Sequence, residues 1–185
     1  ADTPGFEVGR IEPKMGIRGS TTGELVLSEV RIPEANRVGK EGEGFRIAMR
    51  VLDRSRPGIA AQALGLAQGA TDYALEYART RETMGRPIAE HQLIASMLAD
   101  METRCEAARG LLYRVGMMID AGIDGPELTK LSAMAKLYCS DVAMDVTTDA
   151  VQILGGYGYM REYPVERMMR DAKITDIYEG TGQIN

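Results

Sequence analysis

The chain has no tryptophan, two phenylalanines, two cysteines and a single histidine among 185 residues. Each shortage removes a class of explanation. Cys105 and Cys139 lie in helical stretches without metal-ligand spacing, so they read as buried apolar residues of a reducing compartment, not as staples or zinc ligands. His91 has no partner histidine or cysteine at ligand spacing, and no metal is expected. Net charge is −5 and no block of lysine and arginine stands out, which argues against nucleic acid or an anionic membrane as partner. No apolar run approaches bilayer-spanning length and no secretory signal is recognisable. A soluble, cytoplasmic protein without membrane insertion is the expectation.

What is present is a core. Hydrophobic residues make up 44% of the chain, enough for one domain or one and a fraction. Phe6 to Ile11 alternates apolar and polar, and Glu24 to Ile32 does so again with a change of parity near Ser28-Glu29, which predicts a bulge or break there. Two or three strands cannot form an independent core, so residues 1–39 read as the C-terminal end of a β-domain.

Residues 40–185 read as helical. A short segment over Gly42 to Asp53 is expected to stop before Pro57, because the residue preceding proline avoids the α region; Pro57 then opens a second helix to about Arg81. That helix is crowded with small residues from Ala60 to Ala78, which suggests close packing on several neighbours. Leu93 to Ile119 repeats apolar residues at three- and four-residue steps and is the clearest helix. Gly122 to Gly125 breaks it. Pro126 opens the next, with a stripe through Leu128, Leu131, Ala135, Tyr138 and Val142, and Gly155-Gly156 closes it. Pro164 starts a last short helix to about Ile174. Long helices with short connections predict a mainly α fold, an up-and-down four-helix bundle. The methionines fall mostly on the stripes and read as core filler.

Four segments could carry chemistry. Asp53-Arg54-Ser55-Arg56-Pro57 is either a solvated charge cluster or a site for a phosphate-bearing ligand, since guanidinium binds phosphate bidentately. Arg79 to Ile88, followed by His91-Gln92, is either an ordinary helix connection or a set of donors for a pyrophosphate. Gln152-Ile153-Leu154-Gly155-Gly156-Tyr157-Gly158 permits close backbone approach to a ligand, although a helix cap alone explains Gly155. It is not a dinucleotide fingerprint, because a helix ends there instead of beginning. Finally, Asp176 to Gln183 holds Glu179 between an apolar pair and Gly180. A carboxylate against apolar neighbours is how a protein makes a stronger base, because burial disfavours its charged form.

All four, in this order and in one helical framework, resemble the acyl-CoA dehydrogenase family of flavoenzymes. The resemblance covers the whole chain, from Pro4-Gly5-Phe6 through Lys14-Met15-Gly16-Ile17-Arg18 and Val30-Arg31-Ile32-Pro33 to Gln183. It is strongest over Arg81 to Gln92, Gln152 to Gly158 with Glu162 to Glu166, and Met169 to Ile174 leading into Tyr178-Glu179-Gly180-Thr181. It implies the C-terminal part of a longer chain: residues 1–39 ending the middle β-domain, and 40–185 forming the helical-bundle domain. An N-terminal helical domain and most of the β-domain would precede residue 1.

The implied activity is FAD-dependent α,β-dehydrogenation of an acyl-CoA thioester to the trans-2-enoyl-CoA. Glu179 matches the family's base, with a placement similar to the short- and medium-chain enzymes. Some relatives carry the base two residues before the helix proline, a position that is Ser55 here. Arg81, Thr83, His91 and Gln92, together with Gln152, Ile153, Leu154, Gly155 and Gly156, match positions that hold the FAD diphosphate half across a dimer interface. Thr181 and Gln183 match contacts behind the base. Asp53, Arg54, Ser55, Arg56 and Gly180 match acyl-CoA contacts. Position 84 holds Met where the family usually has Phe. The resemblance also implies an electron-transfer flavoprotein as acceptor, a dimer of dimers, and a mitochondrial matrix location if the source is eukaryotic. Two alternatives stand beside it: a non-catalytic helical assembly fragment, and an acyl-CoA oxidase, against which the length between motifs argues.

Overall fold

The computed structural model describes residues 2–185. Phe6–Ile11 (β1) and Gly23–Leu27 (β2) pair antiparallel, Phe6 opposite Leu27 and Val8 opposite Leu25, with a register shift between Val8 and Ile11. The parity break expected near Ser28-Glu29 is the end of β2, where Glu29 takes φ +49 and pleated pairing cannot continue. Val8, Leu25 and Leu27 remain exposed, so this hairpin has no core of its own. It is pinned to the helices at Gly16. A Cβ there would lie 2.4 Å from the Arg170 carbonyl oxygen, and only glycine permits that approach. Beside it the Ile17 N–H donates to Asp171 Oδ1 at 2.6 Å, and Arg170 donates to the Met15 carbonyl at 2.7 Å.

Gly44–Thr80 (α1) is a single helix of 37 residues, which overturns the expected break before Pro57. Proline inside a helix removes one backbone hydrogen bond and costs ~3 kcal/mol or more in isolation. The carbonyl left without its N–H partner is that of Asp53, four residues earlier. Ser132 Oγ donates to it at 2.8 Å, and the Pro57 ring is itself buried. Tertiary contacts supply what the helix loses, so sequence-local logic fails at this position.

After a two-strand turn of Glu82–Thr83 (β3) and Arg86–Pro87 (β4), Gln92–Asp120 forms α2, Pro126–Leu154 forms α3 and Val165–Ala172 forms α4. The helical architecture predicted from periodicity is present as three long helices and a short fourth. α1 packs chiefly on α3. Ala60, Ala63, Ala67, Ala70, Ala74 and Ala78 line that contact with no exposed surface, at the three- and four-residue steps of one helix face. Gly58, Ala61 and Gly65 are exposed, so the small residues pack on one side and not all round. The close alanine contact leaves little room for long side chains. Met101 is fully buried and Met97, Met118, Met144 and Met168 pack half-buried against the core, as expected of core filler, while Met15, Met49, Met84, Met117, Met134 and Met160 are exposed.

On α3 the stripe includes Leu128, Leu131, Ala135 and Val142 as expected, but Tyr138 is exposed and Cys139 takes the inward place. A second, polar row runs beside it. Ser132, Lys136 and Ser140, at four-residue steps, have no exposed surface, and each donates to a main-chain carbonyl of another segment: Asp53, Gly180 and Thr175 respectively. Among the described residues no helix is long and apolar enough to cross a membrane.

Candidate active site

Glu179 lies in a turn closed by the Gly182 N–H donating to the Asp176 carbonyl at 3.1 Å. Glu179 takes φ +58 and Gly180 φ +99. A non-glycine residue in the left-handed region costs on the order of 1–3 kcal/mol and persists only where its surroundings over-determine it. They do. Arg56 Nε of α1 donates to the Glu179 carbonyl at 3.2 Å, and Lys136 Nζ of α3 donates to the Gly180 carbonyl at 2.5 Å. Asn185 Nδ2 adds a bond to the same Gly180 carbonyl at 2.7 Å. Ahead of the base, Tyr178 donates its hydroxyl to Gln62 Oε1 at 2.5 Å, and burial pushes that phenol above its ordinary range.

The carboxylate itself is half-buried and accepts from Ser55 Oγ at 2.5 Å. Ser55 and Glu179 therefore face one space from α1 and from the turn. Among the described residues the Glu179 backbone N–H donates to no protein acceptor. Ser55 also lines a cleft of about 1440 Å³ between α1 and the start of α3, together with Asp53, Arg54, Arg50, Thr129 and Lys130. Arg54 pairs with Asp124 at 3.2 Å across it. Asp53 accepts from Thr129 Oγ1 at 2.7 Å, which gives it a structural task. Arg56 turns away from the cleft, to the base. Of the Asp53–Arg56 quartet and Gly180, Ser55, Arg56 and Gly180 meet at Glu179, while Asp53 and Arg54 form the cleft wall.

The second group converges elsewhere. Arg81, Thr83, His91, Ile153, Leu154, Gly155 and Gly156 line one cleft of about 630 Å³ at the far end of α1, with Tyr77, Ile88, Ile94, Tyr157 and Met160. Gly155 takes φ +61, ending α3 with its backbone turned into the cleft rim. Arg86 can only donate, so His91 Nδ1 accepts from it at 3.2 Å; the ring proton then sits on Nε2, which donates to Thr83 Oγ1 at 3.1 Å. The Arg81 guanidinium lies 5.5 Å from the Tyr157 ring centroid, a cation–π distance. Gln92 and Gln152 are exposed and lie outside this lining, and Met84 is exposed at the tip of the β3–β4 turn with φ +52. Thr181 and Gln183 sit at the Glu179 end, beyond the turn.

Sequence reasoning missed Lys136, Ser132 and Asn185. The first two carry a readable signal, polar residues at a four-residue step beside an apolar stripe. Asn185 carries none.

Residues 42–185 match the model of the acyl-CoA dehydrogenase C-terminal domain. The chain belongs to the acyl-CoA dehydrogenase family. Cyclohexane-1-carbonyl-CoA dehydrogenase of Geobacter metallireducens is 55% identical over 99% of this chain and 47% of its own length. The structure of butyryl-CoA dehydrogenase from Megasphaera elsdenii superposes with a TM-score of 0.95 at 52% identity, covering 98% of this chain and 47% of that one. A chain from a structural study of the electron transferring flavoprotein of Acidaminococcus fermentans, concerned with flavin-based electron bifurcation, gives a TM-score of 0.96 at 53% identity over 99% of this chain and 47% of its own. The chain spans about half the length of the curated relatives it matches. The two superposed chains share the helical framework into which both clefts are built.

Proposed function

We propose that this chain is the C-terminal part of an acyl-CoA dehydrogenase, with residues 1–39 closing a β-domain and 40–185 forming the helical domain, and that Glu179 removes the α-proton of a bound acyl-CoA. The observation that carries the reading is the Glu179 turn itself. A strained backbone is held from two helices while its carboxylate meets only a serine hydroxyl. An α-proton of a thioester is weakly acidic, so its removal needs donors aimed at the carbonyl oxygen where charge develops. The uncommitted Glu179 N–H is one such donor. Ser55 supports the carboxylate until substrate enters, and Arg54, Arg50 and Lys130 on the adjoining cleft supply cations for the phosphates of a CoA.

The donor set of the second cleft fits the diphosphate half of FAD. Arg81 and Thr83 provide donors, His91 holds the Thr83 hydroxyl oxygen so that its proton is free to donate, Ile88, Ile94, Ile153, Leu154 and Tyr157 provide apolar walls, and among the described residues no carboxylate lines it. FAD, when bound, would supply the acceptor for the β-hydride. Ser55 and Arg81 stand 26 residues apart, 25 of those steps within the continuous α1, roughly 39 Å at the helical rise. That exceeds the reach of one extended dinucleotide. We read the cleft at Arg81 as serving a flavin whose ring lies in a neighbouring copy, a reading that requires a homo-oligomer. Similarity to the chain from the electron transferring flavoprotein study supports such a flavoprotein as electron acceptor.

The test is Glu179→Gln in the flavin-loaded protein, mixed with an acyl-CoA series that includes butyryl-CoA and cyclohexane-1-carbonyl-CoA. Flavin content should be unchanged and substrate-driven bleaching should slow by roughly 10²–10⁴-fold. Bleaching at the unmodified rate would discard Glu179 as the base.

A further inference from the structure

Lys136 is the largest fully buried side chain of the protein, and its ammonium meets a main-chain carbonyl, not a carboxylate. Among the described residues no acidic oxygen lies within 4.0 Å of its Nζ. A lysine buried without a salt bridge is rare, because desolvating the charge is costly.

Packing does not explain why the charge is there. Gly180 O already accepts from Asn185 Nδ2 at 2.7 Å, so removing the ammonium would leave no orphaned carbonyl. An apolar residue of similar length would fill the space at lower cost. Burial pushes the Lys136 pKa below its ordinary value and the Arg56 charge acts the same way, opposed by Asp176, Asp141 and Glu179. What the ammonium does accomplish is geometric. The carbonyls of Glu179 and Gly180, both left-handed, are claimed by two cations from two different helices, Arg56 of α1 and Lys136 of α3. Such a grip fixes where the Glu179 side chain leaves the backbone.

We propose that Lys136 is a positioning residue that holds the Glu179–Gly180 turn in its strained form and so keeps the carboxylate aimed; this rests on Glu179 being the base. Its effect passes through the turn, not through the substrate.

Lys136→Met in the flavin-loaded protein separates this role from a structural one. Replacing a buried charge by an apolar isostere is often neutral or stabilising, so Tm and flavin content should hold or rise. KM for butyryl-CoA should stay unchanged while the bleaching rate falls by about 10²-fold, the effect of a displacement near 1 Å. Lys136→Arg, which keeps a cation, should recover the rate to within about tenfold of the unmodified protein. A wild-type bleaching rate in Lys136→Met overturns the proposal. So does a lowered Tm with an unchanged rate per flavin. Lys136→Gln is measured alongside, and loss of folding or flavin in both variants assigns Lys136 to stability and overturns it too. Glu179→Gln run in parallel keeps the two readings apart. An active Glu179→Gln removes both, whereas an inactive Glu179→Gln beside a normal Lys136→Met removes only the role of Lys136.

Discussion

Replacing Ser132 by Ala should expose what Pro57 costs α1. Pro57 cannot donate to the Asp53 carbonyl, and Ser132 Oγ, fully buried on α3, donates to that carbonyl at 2.8 Å. Removing the hydroxyl leaves the carbonyl unpaired at a helix–helix contact, a penalty of about 1–3 kcal/mol. For a chain of this length 1 kcal/mol shifts Tm by roughly 2–4 °C, so a mid-range loss of about 2 kcal/mol predicts a fall of roughly 4–8 °C. The assay is thermal unfolding by circular dichroism, in two backgrounds. Pro57→Ala restores an N–H at position 57, which can close the ordinary helical bond to Asp53. In that background Ser132→Ala should cost less than half as much, because the carbonyl no longer depends on the serine. Equal Tm losses in both backgrounds would refute the reasoning, since Ser132 would then be acting through something other than the carbonyl that proline leaves free.

Two further outcomes follow from burial and from helix length. Burial pushes the Cys139 thiol up to about 12 and raises Cys105 as well; neither should react with an aromatic disulfide reagent at pH 8 until denaturant is added, and a fast-reacting thiol in the native protein would contradict the packing. If each flavin draws on Glu179 of one copy and Arg81 of another, co-expressing Arg81→Ala with Glu179→Gln rebuilds an intact site in every mixed dimer. Random pairing of the two chains then restores about a quarter of the wild-type sites. Activity no higher than that of either variant alone would place both half-sites in one chain.

Much of this was legible because helix periodicity is a strong local signal. The limits of α2 and α3, the stop at Gly155 and the inward cysteines all follow from apolar spacing and glycine punctuation. The convergence of Arg81, Thr83 and His91 with Ile153 to Gly156 was legible only through the family resemblance, since nothing local joins segments seventy residues apart. Two misreadings share one cause. Pro57 reads as a helix start and Tyr138 as inward, each on a rule that looks along the chain. In the fold, Ser132 rescues the proline and Cys139 fills the place beside Tyr138. Contacts between helices decided each case.

The same contacts link the proline to the base. Ser132, Lys136 and Ser140 stand one helical turn apart on α3, and their acceptors are, in order, the carbonyl freed by Pro57, the carbonyl next to Glu179 and the carbonyl of Thr175 leading into the base turn. Fixing the first sets the depth of α1 against α3, and thereby where Ser55 and Arg56 stand. Fixing the second and third sets the turn against α3 from the other side. Because all three donors spend themselves on main-chain oxygen, none competes for the carboxylate, which is left with the Ser55 hydroxyl alone. A hydroxyl is a neutral donor that substrate can displace far more cheaply than a lysine or arginine paired to the same carboxylate. The arrangement keeps charge close enough to hold the backbone and away from the one group that has to accept a proton.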